Sequence, residues 1–183
     1  RAWNKTFGLP TMISNCSKNF GPFQYPEKLI PLMILKCINK EKLPVYGKGD
    51  NIRDWIYVID HCKAIDTILE KGQIGETYMI GSDNEKTNLD IVKAICNYFD
   101  KNYLSEDDFT YHSLIDFVED RPGHDFRYSI DNSKIKNKLG WQPEYSFKNA
   151  LESTITWYCD NKNWYDKLIN NDYNLNRLGT VKK

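Results

Sequence analysis

The sequence has no Gly-x-Gly-x-x-Gly or related Gly-rich turn behind an apolar strand, so the usual phosphate cradle for a dinucleotide is missing from its 183 residues. Its five cysteines, Cys16, Cys37, Cys62, Cys96 and Cys159, are scattered, odd in number and without a Cys-x-x-Cys pair. That pattern fits reduced, buried thiols better than disulfides or zinc, and it points to the cytoplasm. There is no signal-peptide pattern and no apolar run long enough to span a bilayer, so no membrane partner is expected. Asn4-Lys5-Thr6 and Asn15-Cys16-Ser17 therefore read as chance glycosylation triplets. An excess of either charge is also lacking: 25 Lys and Arg face 25 Asp and Glu, a net charge of zero. Nothing global argues for a nucleic-acid partner, and any bound anion must be held by local clusters. What is present, 40% hydrophobic and 14% aromatic residues, is enough for a folded domain with a real core.

Periodicity alternates between helix and strand. Arg1–Phe7 has the spacing of the last turns of an amphipathic helix, stopped by Gly8. Leu9–Ser14, an apolar run with Gly8 and Pro10, predicts a buried strand running into a polar turn over Asn15–Pro22. Ligand-binding loops occupy such strand ends in α/β folds. Ile30–Ile38 carries a helical stripe, Pro44–Asp50 a small strand and turn, and Trp55–Val58 an extended segment. Ala64, Ile65, Ile68 and Leu69 space as one helical face, and Thr77–Ile80 reads as a strand. Asn88 stands as the N-cap of a helix carrying Leu89, Ile91, Val92, Ile95 and Phe99. Ser105-Glu106-Asp107-Asp108 is predicted to be an acidic surface turn. Ser133–Leu139 and Phe147–Tyr158 predict two more helices, separated by Gly140-Trp141-Gln142-Pro143. The Asn- and Lys-rich tail beyond Trp164 loses periodicity and is expected to be partly disordered. No repeat interrupts this order, and the fold class is α/β with short strands.

Two segments place arginines beside turns: Arg53-Asp54-Trp55-Ile56-Tyr57, and Asp120-Arg121-Pro122-Gly123-His124-Asp125 with Phe126-Arg127-Tyr128 behind it. A guanidinium presents a planar fork that bonds two phosphate oxygens and stays charged at any working pH. Each arginine has an adjacent acid, Asp54 or Asp120, so a local salt bridge is the competing reading.

These segments also carry a resemblance. Asn15-Cys16-Ser17-Lys18-Asn19-Phe20-Gly21-Pro22, Gln24-Tyr25-Pro26-Glu27-Lys28-Leu29-Ile30-Pro31, Tyr46-Gly47-Lys48-Gly49-Asp50, Arg53-Asp54-Trp55-Ile56-Tyr57-Val58 and Asp120-Arg121-Pro122-Gly123-His124-Asp125 occur in the order found in the dTDP-glucose 4,6-dehydratases. The chain resembles that branch of the extended short-chain dehydrogenase/reductases over nearly its whole length. The match begins after the family's Tyr-x-x-x-Lys helix. The resemblance thus implies the C-terminal part of an extended Rossmann-type dehydrogenase/reductase, mainly its small substrate-binding domain. Residues 1–22 would end the cofactor domain, 23–165 would be mainly the sugar-nucleotide-binding domain, and 166–183 a tail. No catalytic residue and no metal ligand is expected in this chain, which alone is expected to be inactive. Tyr158-Cys159-Asp160-Asn161-Lys162 does satisfy Tyr-x-x-x-Lys, but it ends a terminal helix and reads as packing rather than as a catalytic pair.

The resemblance implies roles residue by residue. Asn19 matches a position near the nicotinamide end of NAD, with a turn-forming Asn as the compatible structural reading. Lys28 and Leu29 match contacts to the nucleotide diphosphate, although Lys28 reads equally as a solvated charge and Leu29 as core. Pro44, Val45 and Tyr46 match the edge bordering the base, which could instead be a simple hairpin edge. Arg53 and Arg121 match phosphate-binding positions, and Asp120, Pro122, Gly123 and His124 the segment closing over the diphosphate and ribose. Asn88 matches a substrate contact at a helix N-terminus, where free backbone donors could help hold an anion. Lys18 stands where the family usually has a second Asn, exchanging an amide for a long cation at a substrate-binding position. His61 and His112 match nothing and read as surface or packing residues.

For a full-length protein the resemblance implies an NAD-dependent lyase, a homodimer acting on a dTDP-sugar in nucleotide-sugar metabolism such as rhamnose biosynthesis. It would oxidise dTDP-glucose at C4, eliminate water across C5 and C6, and return hydride to C6. The alternatives are a UDP-sugar 4,6-dehydratase or decarboxylase sibling, a non-catalytic sugar-nucleotide-binding module, and an interaction protein with no nucleotide affinity.

Overall fold

The alternation read from the sequence is the alternation observed, with additional short strands. The computed structural model describes residues 1–103 and 108–171; residues 105–107 of the predicted acidic turn and the tail beyond Asn171 lie outside the described residues. The elements run α1 (Ala2–Phe7), β1 (Ile13–Cys16), β2 (Lys18–Phe20), α2 (Leu29–Ile38), β3 (Leu43–Tyr46), β4 (Ile52–Tyr57), α3 (Val58–Lys71), β5 (Thr77–Ile80), β6 (Glu85–Thr87) and α4 (Asn88–Asn102). A 3₁₀ turn (Tyr111–Leu114) then precedes β7 (Ile115–Val118), β8 (Arg127–Tyr128), α5 (Ser133–Leu139), α6 (Phe147–Asp160) and α7 (Lys162–Asn171). The pairs β1–β5, β2–β4 and β3–β7 are all parallel, which requires helical crossovers and fixes the α/β class.

Packing divides the chain into two units, each built from separate stretches. The first comprises Arg1–Phe20, Arg53–Glu85 and Tyr128–Phe147; the second comprises Gly21–Ile52, Lys86–Arg127 and the chain from Lys148 onward. Residues 53–85 and 128–147, which the sequence reading includes in the sugar-nucleotide-binding stretch, thus pack with the N-terminal residues.

In the first unit, Ile56, Ile80, Ala64, Ile68, Ile135 and Trp141 form an apolar core, and burying each such aliphatic side chain stabilises the fold by roughly 1.5–3 kcal/mol. Two buried carboxylates hold its loops. Asp54 accepts from Ser82 N (2.9 Å), the Ser82 hydroxyl (2.8 Å) and Asn84 N (2.8 Å). Asp60 accepts from Glu144 N (3.0 Å) and Tyr145 N (3.3 Å). In the second unit, α2 and α4 bury Ile30, Met33 and Ile34 against Ile91, Ile95 and Phe99, and both helices pack on β3.

Several expectations shift. The strand expected over Leu9–Ser14 begins only at Ile13, because Thr11 N turns back to Leu9 O (2.8 Å) and Pro10 has no N–H to give a ladder. The supposed polar turn over Asn15–Pro22 contains the end of β1 and all of β2. Val58 is the first residue of α3, not the end of an extended segment. On α3 the buried stripe is Asp60, Ala64 and Ile68, four residues apart, while Ile65 and Leu69, rotated by a further 100° each, stay exposed. The N-cap of α4 is Thr87, not Asn88: its side chain accepts from Asp90 N (3.0 Å), and Asp90 in turn accepts from Thr87 N (3.2 Å). Helical structure continues past Trp164 to Asn171.

Asp54 sits at full burial with three donors aimed at it. Asp54→Ala should therefore lower the unfolding free energy by about 3 kcal/mol or more, since it strands buried N–H groups as well as removing the acceptor. Urea unfolding followed by circular dichroism measures this, and a loss below about 1 kcal/mol would contradict the assigned role.

Candidate functional site

Within the second unit, β3 and β7 run side by side with Leu43 opposite Ile115 and Tyr46 opposite Val118. Parallel strands end together, so the turn after β3 and the segment after β7 emerge as neighbours. Gly47 N donates to Val118 O (2.9 Å), and Gly49 N closes the turn onto Tyr46 O (3.0 Å). Gly47 has φ +57°, and a Cβ there would stand 3.3 Å from Asp120 Oδ2. At Gly49, with φ +72°, a Cβ would lie 2.6 Å from a Val45 methyl, so only glycine fits. The Tyr46 and His124 rings meet edge to face at 6.4 Å. The structure thus brings Pro44, Val45 and Tyr46 together with Asp120 and His124. Leu43 and Val45 are buried while Pro44 and Tyr46 are half-buried, the alternation of a strand with one face in the core. The simple hairpin reading of this edge does not hold, because the partner of β3 is a parallel strand far downstream.

Asp120 organises its segment. Its Oδ1 accepts from the backbone N–H of Arg121 (2.7 Å) and lies 2.7 Å from His124 Nδ1. The His124 contact first, and then the Arg121 N–H, hold the Asp120 carboxyl below the usual aspartate value. The His124 side chain is 7% exposed, whereas Arg121, Pro122 and Gly123 are exposed. Among the described residues, no hydrogen bond or ion pair engages the Arg121 guanidinium. One oxygen of the carboxylate beside it is taken by His124 and backbone, and the Arg121 charge also helps to hold that carboxyl down.

Asn88 opens α4 beside this turn, and its environment corrects the expected anion site. Asn88 N donates to Asn51 O (3.0 Å), Leu89 N to Gly49 O (2.9 Å) and Asp90 N to the Thr87 hydroxyl (3.0 Å). The first three amides of the helix are thus committed to protein acceptors and are not available to a phosphate. Asn51, absent from the expected site, ties three predicted segments: its backbone oxygen takes Asn88 N, and its side chain donates to Asp125 O (3.2 Å). The signal for it was an Asn between Gly49 and Arg53 in a stretch whose other polar residue, Asp50, is exposed. Lys28 is the N-cap residue of α2, exposed and ion-paired with Glu27, and Leu29, the first helical residue, is half-buried rather than core.

Tyr158 and Lys162 are not a catalytic pair here. The Tyr158 ring is fully buried, its hydroxyl donates to Gln24 O, and burial pushes its pKa up, the reverse of what a phenolate base needs. Lys162 pairs with Asp166 (2.6 Å).

Lys18, Asn19 and Arg53 belong to the first unit. Lys18 is exposed on β2, opposite Trp55 of β4, and Asn19 is half-buried opposite Ile56. The Asn19 side-chain nitrogen donates to Ser17 O (3.2 Å) and to Cys16 Sγ (3.3 Å), while its Oδ1 lies 2.9 Å from His61 Nδ1. Of the surface and packing readings of His61, this contact and its half-burial favour packing. Arg53 is buried, and the neighbouring Asp54 is turned to Ser82 and Asn84.

The Asp120–His124 pair predicts a titration. A depressed carboxyl pKa means that the contact persists above the ordinary aspartate value of 3.8 and is lost only as pH falls through a lower midpoint. In ¹³C carboxyl NMR, Asp120 should titrate below 3.8 in the native chain and rise toward it in His124→Ala; equal midpoints would rule the pairing out.

Comparison with known proteins identifies the family. The chain is 48% identical over 181 residues to dTDP-glucose 4,6-dehydratase of Xanthomonas campestris pv. campestris, covering 99% of this chain and 52% of that one. An Escherichia coli dTDP-glucose 4,6-dehydratase is 50% identical over 183 residues, covering 99% and 51%. The chain thus spans about half the length of the curated relatives it matches. A crystal structure of dTDP-glucose 4,6-dehydratase from Bacillus anthracis in complex with NAD superposes with a TM-score of 0.81 at 46% identity, over 91% of this chain and 50% of that one. The enzyme of that name from Streptomyces venezuelae, solved with NAD and a second ligand bound, gives 0.84 at 38% identity over 91% and 49%. The family model described as GDP-mannose 4,6 dehydratase matches residues 1–154, and the chain belongs to that family.

Proposed function

We propose that this chain is the nucleotide-sugar-binding portion of an NAD-dependent dTDP-glucose 4,6-dehydratase, with the cofactor cradle and the Tyr-Lys pair supplied by the rest of a full-length, homodimeric, cytoplasmic protein. The observation that carries the reading is the end of the β3–β7 pair, where the Tyr46 and His124 rings meet and the exposed Arg121 lies on the same segment as His124 in the second unit. An aromatic face suits a nucleobase and a guanidinium suits a diphosphate. In the first unit, Ser17 Oγ is buried without a partner among the described residues, next to the oriented amide of Asn19. That donor and acceptor set fits the carboxamide end of NAD, which when bound would take up hydride from sugar C4 and return it to C6. The residues of this chain bind and orient. Holding a remote nucleotide lets its binding energy position the hexose, and that positioning is this chain's contribution to rate.

The full-length protein is expected to convert dTDP-glucose to dTDP-4-keto-6-deoxyglucose, and the 183-residue chain alone to form none. Product analysis by mass spectrometry with dTDP-glucose and UDP-glucose in parallel decides this. Turnover of the UDP-sugar alone would move the assignment to a UDP-sugar sibling, and product from the isolated chain would place the chemistry within it.

Arg53→Ala and Arg121→Ala should each weaken dTDP-glucose binding by about 1.5–3 kcal/mol, roughly one to two orders of magnitude in Kd. Arg→Lys should restore only part, because a point charge does not reproduce the planar fork. Calorimetric titration, with thermal melts to check the fold, measures both. Wild-type affinity in both alanine variants would make the arginines structural.

A further inference from the structure

The first turn of α3 begins where β4 ends, and β4 lies parallel to β2 with Ile56 opposite Asn19. The chain therefore rises along β4, turns at Tyr57 and brings the fourth residue of α3, His61, back beside β2. There His61 Nδ1 lies 2.9 Å from Asn19 Oδ1. The helix turn is itself pinned, because the preceding residue, Asp60, is buried and accepts from Glu144 N and Tyr145 N.

We infer that His61 is a positioning residue, whose Nδ1–H holds the side-chain amide of Asn19 in one orientation. The inference rests on the placement of Asn19 at the nicotinamide end of the cofactor, made above. The amide orientation follows from the chemistry of its other neighbours. Ser17 O is a carbonyl and can only accept, so the Asn19 nitrogen must face it; the same nitrogen reaches Cys16 Sγ. The oxygen is then the atom turned to His61, and an oxygen needs a donor. Half-burial and desolvation hold the imidazole below its ordinary pKa, so at neutral pH it is uncharged and carries one proton. That proton belongs on Nδ1. A flipped amide would set two oxygens against each other at Ser17 and two N–H groups against each other at His61. The two ends of the amide thus specify the same orientation independently, and removing His61 takes away the one at the oxygen.

The test uses the full-length protein. Selective ¹⁵N-histidine labelling, with His61 assigned by its loss in His61→Asn, should show the proton on Nδ1 at neutral pH. A proton on Nε2 would overturn the inference whatever the affinity data show. NAD binding is then compared in Asn19→Ala, His61→Phe and His61→Asn, the last chosen because its side-chain nitrogen can stand near the position of imidazole Nδ1. His61→Phe should raise the Kd for NAD roughly three- to tenfold, the span expected for one lost hydrogen bond, and His61→Asn should restore most of it. A weakened Asn19→Ala beside an unchanged His61→Phe would overturn the positioning role while leaving Asn19 at the cofactor. Unchanged affinity in both Asn19→Ala and His61→Phe would remove Asn19 from the cofactor end and the inference with it.

Discussion

The parallel register of β3 on β7 decides where Pro44, Tyr46, Asp120 and His124 of the second unit stand. Leu43 and Val45 enter the core and turn Pro44 and Tyr46 outward. A slip of one residue would bury Tyr46 and expose Val45, losing apolar burial at both positions, so the register is strongly specified. With it set, Gly47 N finds Val118 O, the turn closes, and the chain leaving β7 must pass Gly47 within contact distance at Asp120. The two glycines are required by this approach: one side chain would press on Asp120 and the other on Val45.

The same tightness decides which groups remain for an anion. The amides that open α4 are drawn into the Gly49–Asn51 stretch and the Thr87–Asp90 capping box, so the helix contributes its dipole and not its N–H groups. In a protein of zero net charge, any attraction for an anion would then have to come from individual side chains. Asp120 Oδ1 is turned to His124 and the Arg121 amide, and Arg121 itself is exposed on the same segment.

The sequence was most readable where local chemistry dominates. The β3 strand with its glycine turn, the apolar stripes of α2 and α4 and the Asp120–His124 segment all stand where periodicity and motif placed them. Tyr158 was dismissed as a base on a physical argument that its burial supports. What was missed is non-local. β7 carries Asp116 in a four-residue strand and is identifiable only through its distant partner β3. His61 shows no local sign of its role, because the pairing of β2 with β4 is what carries it to Asn19. At α4 two adjacent residues, Thr87 and Asn88, are both good caps, and the choice depends on Asp90 standing three residues after Thr87 rather than the more familiar Glu or Gln.

Arg53 and Asp54 are adjacent on β4 and are used separately. Neighbours on a strand leave from opposite faces, so the Asp54 carboxylate goes to Ser82 and Asn84 while Arg53 departs on the other side of β4. Were the two paired with each other, the Ser82 and Asn84 amides would lose their acceptor. The buried anion is satisfied by three donors of the fold, and the Arg53 cation, only 8% exposed, lies where Coulomb interactions are less screened than at the surface. Substituting lysine at that position would preserve the charge but not the fork, and a strongly hydrated ammonium is the costlier group to hold at such burial.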